Sequence, residues 1–362
     1  MSDSNDLIAF IASMSGEGNL RVEENLGDGY VKLRVSEAER RQAKHDIQSV
    51  EDIVIEMLRN ARDAGADRVY IATSKEEGVR TLLFLDNGSG VPVGMRERIF
   101  DARVTSKLET MKMDKWGVHG RGMALFSIKQ NARSAEVLTS GPGLGSVFRV
   151  VVDCTSLKER VDQSTWPQAE KNDDGVFVCT RGPHNIVRTA CEFALEELRC
   201  CDVFLGSPTE IASTLYNQAR CELDASSLLF MDDETGLPVI SRLGFAADAS
   251  DFIQIASTLG IEISERTAHR ILAGSIAPLR SVSARLLRER ATPGERSMRQ
   301  VDLERDRRGL KISKDDIASF SRAVEKDFND LASRYYINLL GEPKVRVHKD
   351  KITVTFDLGK EE

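Results

Sequence analysis

The chain has 362 residues, 41% hydrophobic and 30% charged, with a formal net charge of −7. That is a globular composition, long enough for two or three domains, and it excludes a chain coated in basic surface. No run of eighteen apolar residues occurs, so hydropathy predicts no membrane span.

The apolar cluster Leu7–Ala12 is short and follows an acidic start, unlike a signal peptide. The six cysteines (154, 179, 191, 200, 201 and 221) contain no CxxC pair, so a zinc site is not expected. With no export signal, reduced thiols in a cytoplasm are the expectation. Cys200–Cys201 reads as two small residues at a helix end rather than as a redox pair.

Residues 1–28 read as a polar N-terminal arm. Tyr30–Val35 alternates as a strand does. A helix is predicted to start near Ser49, where Ser49 and Asp52 stand at capping-box spacing. Its apolar positions Ile53, Val54, Met57, Leu58 and Ala61 form one stripe, and Gly65 marks its stop. "DRVYIATS" and "RTLLFLD" read as strands joined by a turn at Lys75–Val79. An irregular stretch runs from Asn87 to Val118, and a helix from near Gly122 to about Gln130. "SAEVLTS", "GSVFRVVVD" and "GVFVCT" are three further strands. Strands and helices do not alternate regularly. The expected fold is therefore α+β, an α/β sandwich with helices on one face of a sheet, spanning residues 29–182.

Three motifs in this region carry chemistry. Glu56, Asn60 and Asp63, at spacings of four and three, share a helix face opposite the apolar stripe. A solvated polar stripe would have the same pattern. "LFLDNGSGVP" delivers Asp86 at the end of an apolar strand, then turns at Gly88 and Gly90. A buried carboxylate needs donors, and an exocyclic amine is a suitable one. Ordinary hairpin chemistry is the bland alternative. "GVHGRGMALFSI" is a Gly-x-x-Gly-x-Gly loop entering an apolar helix, where backbone amides suit phosphate. Its place after a long loop, not after the first strand, argues against a dinucleotide-binding fold.

Together, in this order, the motifs resemble those of the GHKL ATPases: gyrase, the ninety-kilodalton heat-shock chaperones, histidine kinases and MutL. The resemblance covers about residues 46–153. "EMLRNARDAGA", "DNGSG" and "GVHGRG" resemble the family's three motifs. "TSK" (Thr105–Lys107) and the "DAGA" ending the helix resemble MutL, and "GVHGRG" resembles the B subunits of type II topoisomerases. The resemblance implies the GHKL (Bergerat) fold with ATP and Mg²⁺ as ligands. Glu56 would be the general base for the attacking water. Asn60 would hold Mg²⁺ through its amide oxygen. Asp86 would receive the adenine amine, helped by Thr139. Asp63 would either touch the nucleotide or cap local structure. Gly88 and Gly90 would let the chain pass close to the base. Gly117, Val118, His119, Gly120, Arg121, Gly122 and Met123 would form the phosphate loop, His119 without chemistry of its own. Lys107 would contact phosphate or remain solvated, and Leu108–Trp116 would be the lid. A second-domain lysine, as in MutL and gyrase, has Lys311 and Lys344 as candidates. A protein kinase is disfavoured, because no paired dimerisation helices precede the domain.

Beyond residue 182 the expectations are structural. Residues 183–248 read as an α/β segment, transducer-like, with helices over Asn185–Arg199 and Thr209–Arg220 and a strand at "DVFLG". Residues 249–312 read as helical and Arg-rich. "FIQIASTLGIEISERTAHRILAG" has a helix-turn-helix rhythm, packed by Ala256, Leu259, Ile261, Thr267, Ile271 and Leu272, with His269 and Arg270 exposed. A plain helical hairpin fits as well. Residues 280–314 hold eleven Lys/Arg against five Asp/Glu. Arg285, Arg288, Arg296, Arg299, Arg307 and Arg308 would track a phosphate backbone or line a solvated helix face. Residues 313–362 read as a long helix (Lys314–Tyr336) and a closing β-hairpin. The functional expectation is a slow Mg-dependent ATPase switch, dimerising on ATP, coupled to DNA or a DNA-processing partner. The alternative is a chaperone-like or scaffold ATPase acting on proteins.

Overall fold

The computed structural model describes residues 22–106, 112–114, 117–119, 122–198, 200–223 and 233–288, and within 317–360 positions 317, 320, 321, 323–325, 328, 337–341, 343–347 and 352–360. Two compact units divide the chain, Met1–Ala291 and Thr292–Glu362.

The first unit opens with an antiparallel hairpin of β1 (Val22–Gly27) and β2 (Tyr30–Leu33). Residues 22–27, expected in the arm, are thus paired; 1–21 lie outside the described residues. Helix α1 (Glu37–Asp46) comes next, which apolar periodicity does not reveal. Ser36 and Glu39 form its capping box, and Ala43 is its one buried residue. Helix α2 (Val50–Asp63) starts where the Ser49–Asp52 box predicts. Ser49 Oγ accepts from the Asp52 amide, and the Asp52 carboxylate accepts from the Ser49 amide. Its apolar stripe is buried throughout.

Strands β3 (Arg68–Glu76) and β4 (Val79–Asp86) pair antiparallel. The irregular stretch holds 3₁₀ turns at Val93–Met95 and Arg98–Phe100, then three short strands: β5 (Val104–Thr105), β6 (Lys112–Asp114) and β7 (Gly117–His119). β5 pairs with β2, and β6 with β7. Helix α3 (Ala124–Asn131) precedes β8 (Ser134–Gly141) and β9 (Gly145–Asp153). Next come β10 (Gln168–Lys171), β11 (Phe177–Arg181), α4 (Ile186–Glu196), β12 (Asp202–Gly206) and α5 (Pro208–Glu222). Helices α6 (Ala249–Thr258), α7 (Glu265–Leu272) and α8 (Val282–Arg288) complete the unit.

The central sheet has the order β12-β3-β4-β9-β8. Its pairs are antiparallel except β12, which lies parallel to β3. β11 pairs with β10 in a separate two-stranded ribbon. Strand side chains alternate between faces. Val69, Ile71, Leu82, Phe84, Phe148 and Val150 pack against α2, α3 and α4. Tyr70, Ala72, Leu83, Leu85, Val147 and Phe204 pack against α5, α6 and α7. Helices therefore cover both faces, not one, because a sheet apolar on both sides must bury both. The expected border near Arg181 falls inside this unit: β12 extends the sheet, and the helices after it form the second layer. The α6–α7 pair is a helical hairpin set on this back face. Ala256, Leu259, Ile261, Ala268 and Ile271 are buried, while His269 and Arg270 are exposed as expected.

In the second unit, positions 317, 320, 321, 323–325 and 328 are helical. The expected closing hairpin is present as β14 (Lys344–Val347) with β15 (Ile352–Thr355), flanked by β13 (Ile337–Leu339) paired with β16 (Leu358–Lys360).

Candidate functional site

A cavity of about 610 Å³ lies between α2 and the front face of the sheet. Glu56, Asn60 and Asp63 line it together, so the polar stripe of α2 faces a half-open cavity. Asp86, Gly90, Gly122 and Met123 line it too. Three separate chain segments thus bring their motif residues to one site.

Asp86 ends β4 and is 4% exposed. Its Oδ1 accepts from the Gly88 amide at 2.8 Å. Burial pushes its carboxyl up to about 6, against the opposing pull of the Gly88 and Ser146 amides. A buried acceptor with few donors, on a cavity wall, is a strong site for an incoming amine. Gly90 has φ +75, and a Cβ there would overlap the Gly141 carbonyl oxygen. The turn after Asp86 is also tied down by Ser89 N–H to Ala64 O (2.8 Å) and Gly143 N–H to Ser89 O (2.8 Å).

Along α2, Glu56 Oε1 accepts from Arg59 Nη1 at 2.6 Å, with Arg59 itself buried. Asn60 Nδ2 is buried and has no hydrogen-bond partner among the described residues. The fold therefore leaves the Asn60 side-chain nitrogen without a partner. An amide oxygen beside a carboxylate one turn away is a fitting donor set for a hard divalent cation. Asp63 lies 3.4 Å from Arg62, whose guanidinium also meets Glu197 at 3.1 Å. Asp63 both lines the cavity and joins this ion-pair network.

Helix α3 begins at the same cavity. Met123, Ala124 and Leu125 line it, and Met123, at the N-cap, supplies no side-chain cap. The exposed amides of such a terminus suit anionic oxygen. Gly122 (φ +67) abuts Val104 O, and its own carbonyl accepts from Arg103 N–H at 2.9 Å.

Thr139 is not in this site. A bulge between Val137 and Thr139 shifts the β8–β9 register, pairing Thr139 with Val147 on the back face. There its hydroxyl accepts from Arg242 Nη1 at 3.0 Å. The hydroxyls on the Asp86 side belong to Ser140 and Ser146, 2.9 Å apart. Ser140 Oγ also accepts from Val91 N–H and donates to Gly145 O. The bulge has no sequence signature, so only the register reveals the exchange.

Lys107, Gly120, Arg121 and most of the expected lid lie outside the described residues, as does Lys311. Gly117, Val118 and His119 form β7, with their side chains outside the description. Lys344 is paired with Asp357 at 2.7 Å. Arg285 stacks on Trp166 at 3.8 Å, and Arg288 ends α8. Arg296, Arg299, Arg307 and Arg308 lie outside the described residues. Cys201 is buried, its thiol pushed up to about 12 by desolvation, whereas Cys200 is exposed; both are free.

Sequence reasoning missed Tyr30, Gln42, Asp46 and Ser106, which also line the cavity. They come from the hairpin, from α1 and from the end of β5, upstream of or between the motifs.

Fold and site together define an α/β sandwich with a polar cavity on the front face of its sheet. The family described as "Histidine kinase-, DNA gyrase B-, and HSP90-like ATPase" matches residues 47–174. DNA mismatch repair protein MutL of Pediococcus pentosaceus is 38% identical over 96 residues, 25% of this chain and 15% of that protein. MutL of Staphylococcus aureus (strain Newman) is 33% identical over 105 residues, 28% of this chain and 15% of that protein. The matches thus span 15% of the length of either relative. Residues 47–174 are a GHKL-type ATP-binding domain with MutL-like motifs. No described helix is long and apolar enough to cross a membrane.

Proposed function

We propose that the front-face cavity binds ATP with Mg²⁺ and hydrolyses it slowly. The observation that carries this reading is the meeting of Glu56, Asn60 and Asp86 on one cavity. Asp86 takes the adenine amine, Asn60 holds Mg²⁺ and Glu56 polarises the attacking water. The metal supplies charge neutralisation on the phosphates. The amides at the start of α3, with the Gly117–Gly122 loop, hold phosphate oxygens. Lys107, Val118, His119, Gly120 and Arg121 belong to that loop and lid region in this reading, and Gly88 lies beside the base. ATP binding orders the lid and drives homodimer contact, and that state is passed to DNA or a DNA-processing partner. The MutL-like motifs support this coupling.

One observation favours the protein-directed alternative. The exposed face of α7 mixes Glu265, Arg266, His269 and Arg270, with Glu265 and His269 3.9 Å apart. Interleaved acids oppose a phosphate backbone.

The test is steady-state ATP turnover with Mg²⁺, with and without duplex DNA, using Glu56→Ala as the blank. Turnover that disappears in Glu56→Ala is the expected result, and turnover that survives it rejects Glu56 as base. A rate altered by duplex DNA supports DNA coupling; an indifferent rate supports the chaperone-like or scaffold reading.

A further inference from the structure

The cavity has two ends, and α2 orients them. Its C-terminal end meets the Asp86 turn through Ser89 N–H to Ala64 O. Glu56 stands about 10 Å nearer the helix start than Asp63, at 1.5 Å per residue. Asp46 and Ile47, which precede α2, line the cavity beyond Glu56 at the end away from Asp86, and Gln42, Tyr30 and Ser106 line the cavity too. A nucleoside triphosphate with its base on Asp86 and its phosphates running past Asn60 and Glu56 would bring its last phosphate toward this end.

Tyr30 is placed on the cavity by a ladder. Val31 pairs with Thr105 and Lys32 with Val104, which sets Tyr30 opposite Ser106. Residues directly opposite on antiparallel strands project to the same face. The Tyr30 ring is half-buried against the front core, while its hydroxyl lies beside that of Ser106. Burial keeps the phenol protonated, so it is a neutral donor.

Resting on the ATP reading above, we propose that the Tyr30 hydroxyl donates to the terminal phosphate of the bound triphosphate and so distinguishes ATP from ADP. The same contact ties nucleotide state to the N-terminal hairpin. β2 is joined to the phosphate loop by Leu33 N–H to Arg103 O (3.0 Å) and Arg103 N–H to Gly122 O (2.9 Å). Arg103 sits at φ +60, a conformation non-glycine residues rarely adopt, and its side chain pairs with Glu39 of α1. Hairpin, α1 and glycine turn thus converge on one residue next to the phosphate end.

Tyr30→Phe deletes the hydroxyl and keeps the ring. Calorimetric titration of wild type and Tyr30→Phe, with Mg²⁺ and either a non-hydrolysable ATP analogue or ADP, tests the assignment. The expected result is about tenfold weaker binding of the triphosphate with ADP affinity unchanged, the size of one charge-assisted hydrogen bond. If Tyr30→Phe binds both as wild type does, the assignment is overturned while the ATP reading stands. Equal weakening of both also overturns it, because the hydroxyl then acts on the fold. If wild type binds neither, the ATP reading itself fails, and the assignment with it. Ser106→Ala, at the exposed partner position, provides a second variant: the same selective loss is expected if Ser106 orients the phenol. Hydrogen exchange adds a readout, with residues 22–33 slowed by the triphosphate more than by ADP in wild type only.

Discussion

At the scale of single residues, the clearest physical tension is at Asp86. Folding buries its carboxyl and moves it from the usual 3.8 to about 6. Between those values the folded state holds a proton that the unfolded chain has released, so stability must fall as pH rises through the window. The cost approaches about 3 kcal/mol above pH 6. Asp86→Asn lacks this titration. Urea denaturation at pH 4 and pH 7 should show wild type losing up to about that much relative to Asp86→Asn; parallel profiles would refute the buried ionisation. Glu39, Asp153, Glu159, Asp162 and Asp233 are all held below their usual values and favour the fold as pH rises, but they are common to both proteins and cancel in the difference. Nucleotide binding has the opposite pH sense. An amine donor needs the ionised carboxylate, so ADP affinity should weaken as pH drops from 7.5 to 5, measured by calorimetry. Asp86 was legible in the sequence as a carboxylate ending an apolar strand. Thr139 was not, since its side of the sheet depends on a bulge that hydrogen bonding sets.

At the scale of elements, the capping boxes of α1 and α2 divide what a sequence reveals from what it conceals. Both Ser49–Asp52 and Ser36–Glu39 are written plainly in the chain. Only α2 also carries an apolar stripe, so periodicity finds α2 and overlooks α1, whose one buried side chain is Ala43. The difference should be measurable. Ser49→Ala weakens a helix that is locked into the core, so its cost of about 1 kcal/mol should appear as a lower urea midpoint for the whole unit. Ser36→Ala removes an equal cap from a helix with little buried surface. Its effect should be local, as faster amide exchange over residues 37–46 with a nearly unchanged midpoint. A global loss for Ser36→Ala would mean that α1 is bound through contacts such as Arg103–Glu39 more tightly than its burial suggests. Pairings distant in sequence were the other illegible feature. "DVFLG" is plainly a strand, but its parallel partner β3 lies more than a hundred residues upstream, and only topology joins them.

At the scale of the whole molecule, the question is whether the ATP-binding domain can stand without the helices and strand C-terminal to it. Its motifs and its family match end by residue 174, which suggests a module closing near 182. The packing argues otherwise. Tyr70, Leu83, Leu85 and Val147 belong to the central strands, and their side chains are covered by α5, α6 and α7. Tyr70 also stacks on Phe204 of β12, with ring centroids 4.8 Å apart. Exposing four such side chains costs roughly 1.5–3 kcal/mol each. Their sum is on the order of 10 kcal/mol, comparable to the entire stability of an ordinary domain. The back layer also reaches the β8–β9 turn that packs on Asp86: Val239 N–H donates to Leu144 O, and Arg242 Nη1 donates to Thr139 Oγ1. We therefore expect residues 1–291 to unfold cooperatively in urea with dispersed amide resonances. Residues 1–182 should instead yield an insoluble or molten chain that binds no nucleotide. A cooperative 1–182 fragment with ADP affinity equal to that of 1–291 would overturn this and restore the border at 182. In that case the helices after β12 would be an appended layer, not half of the domain's core.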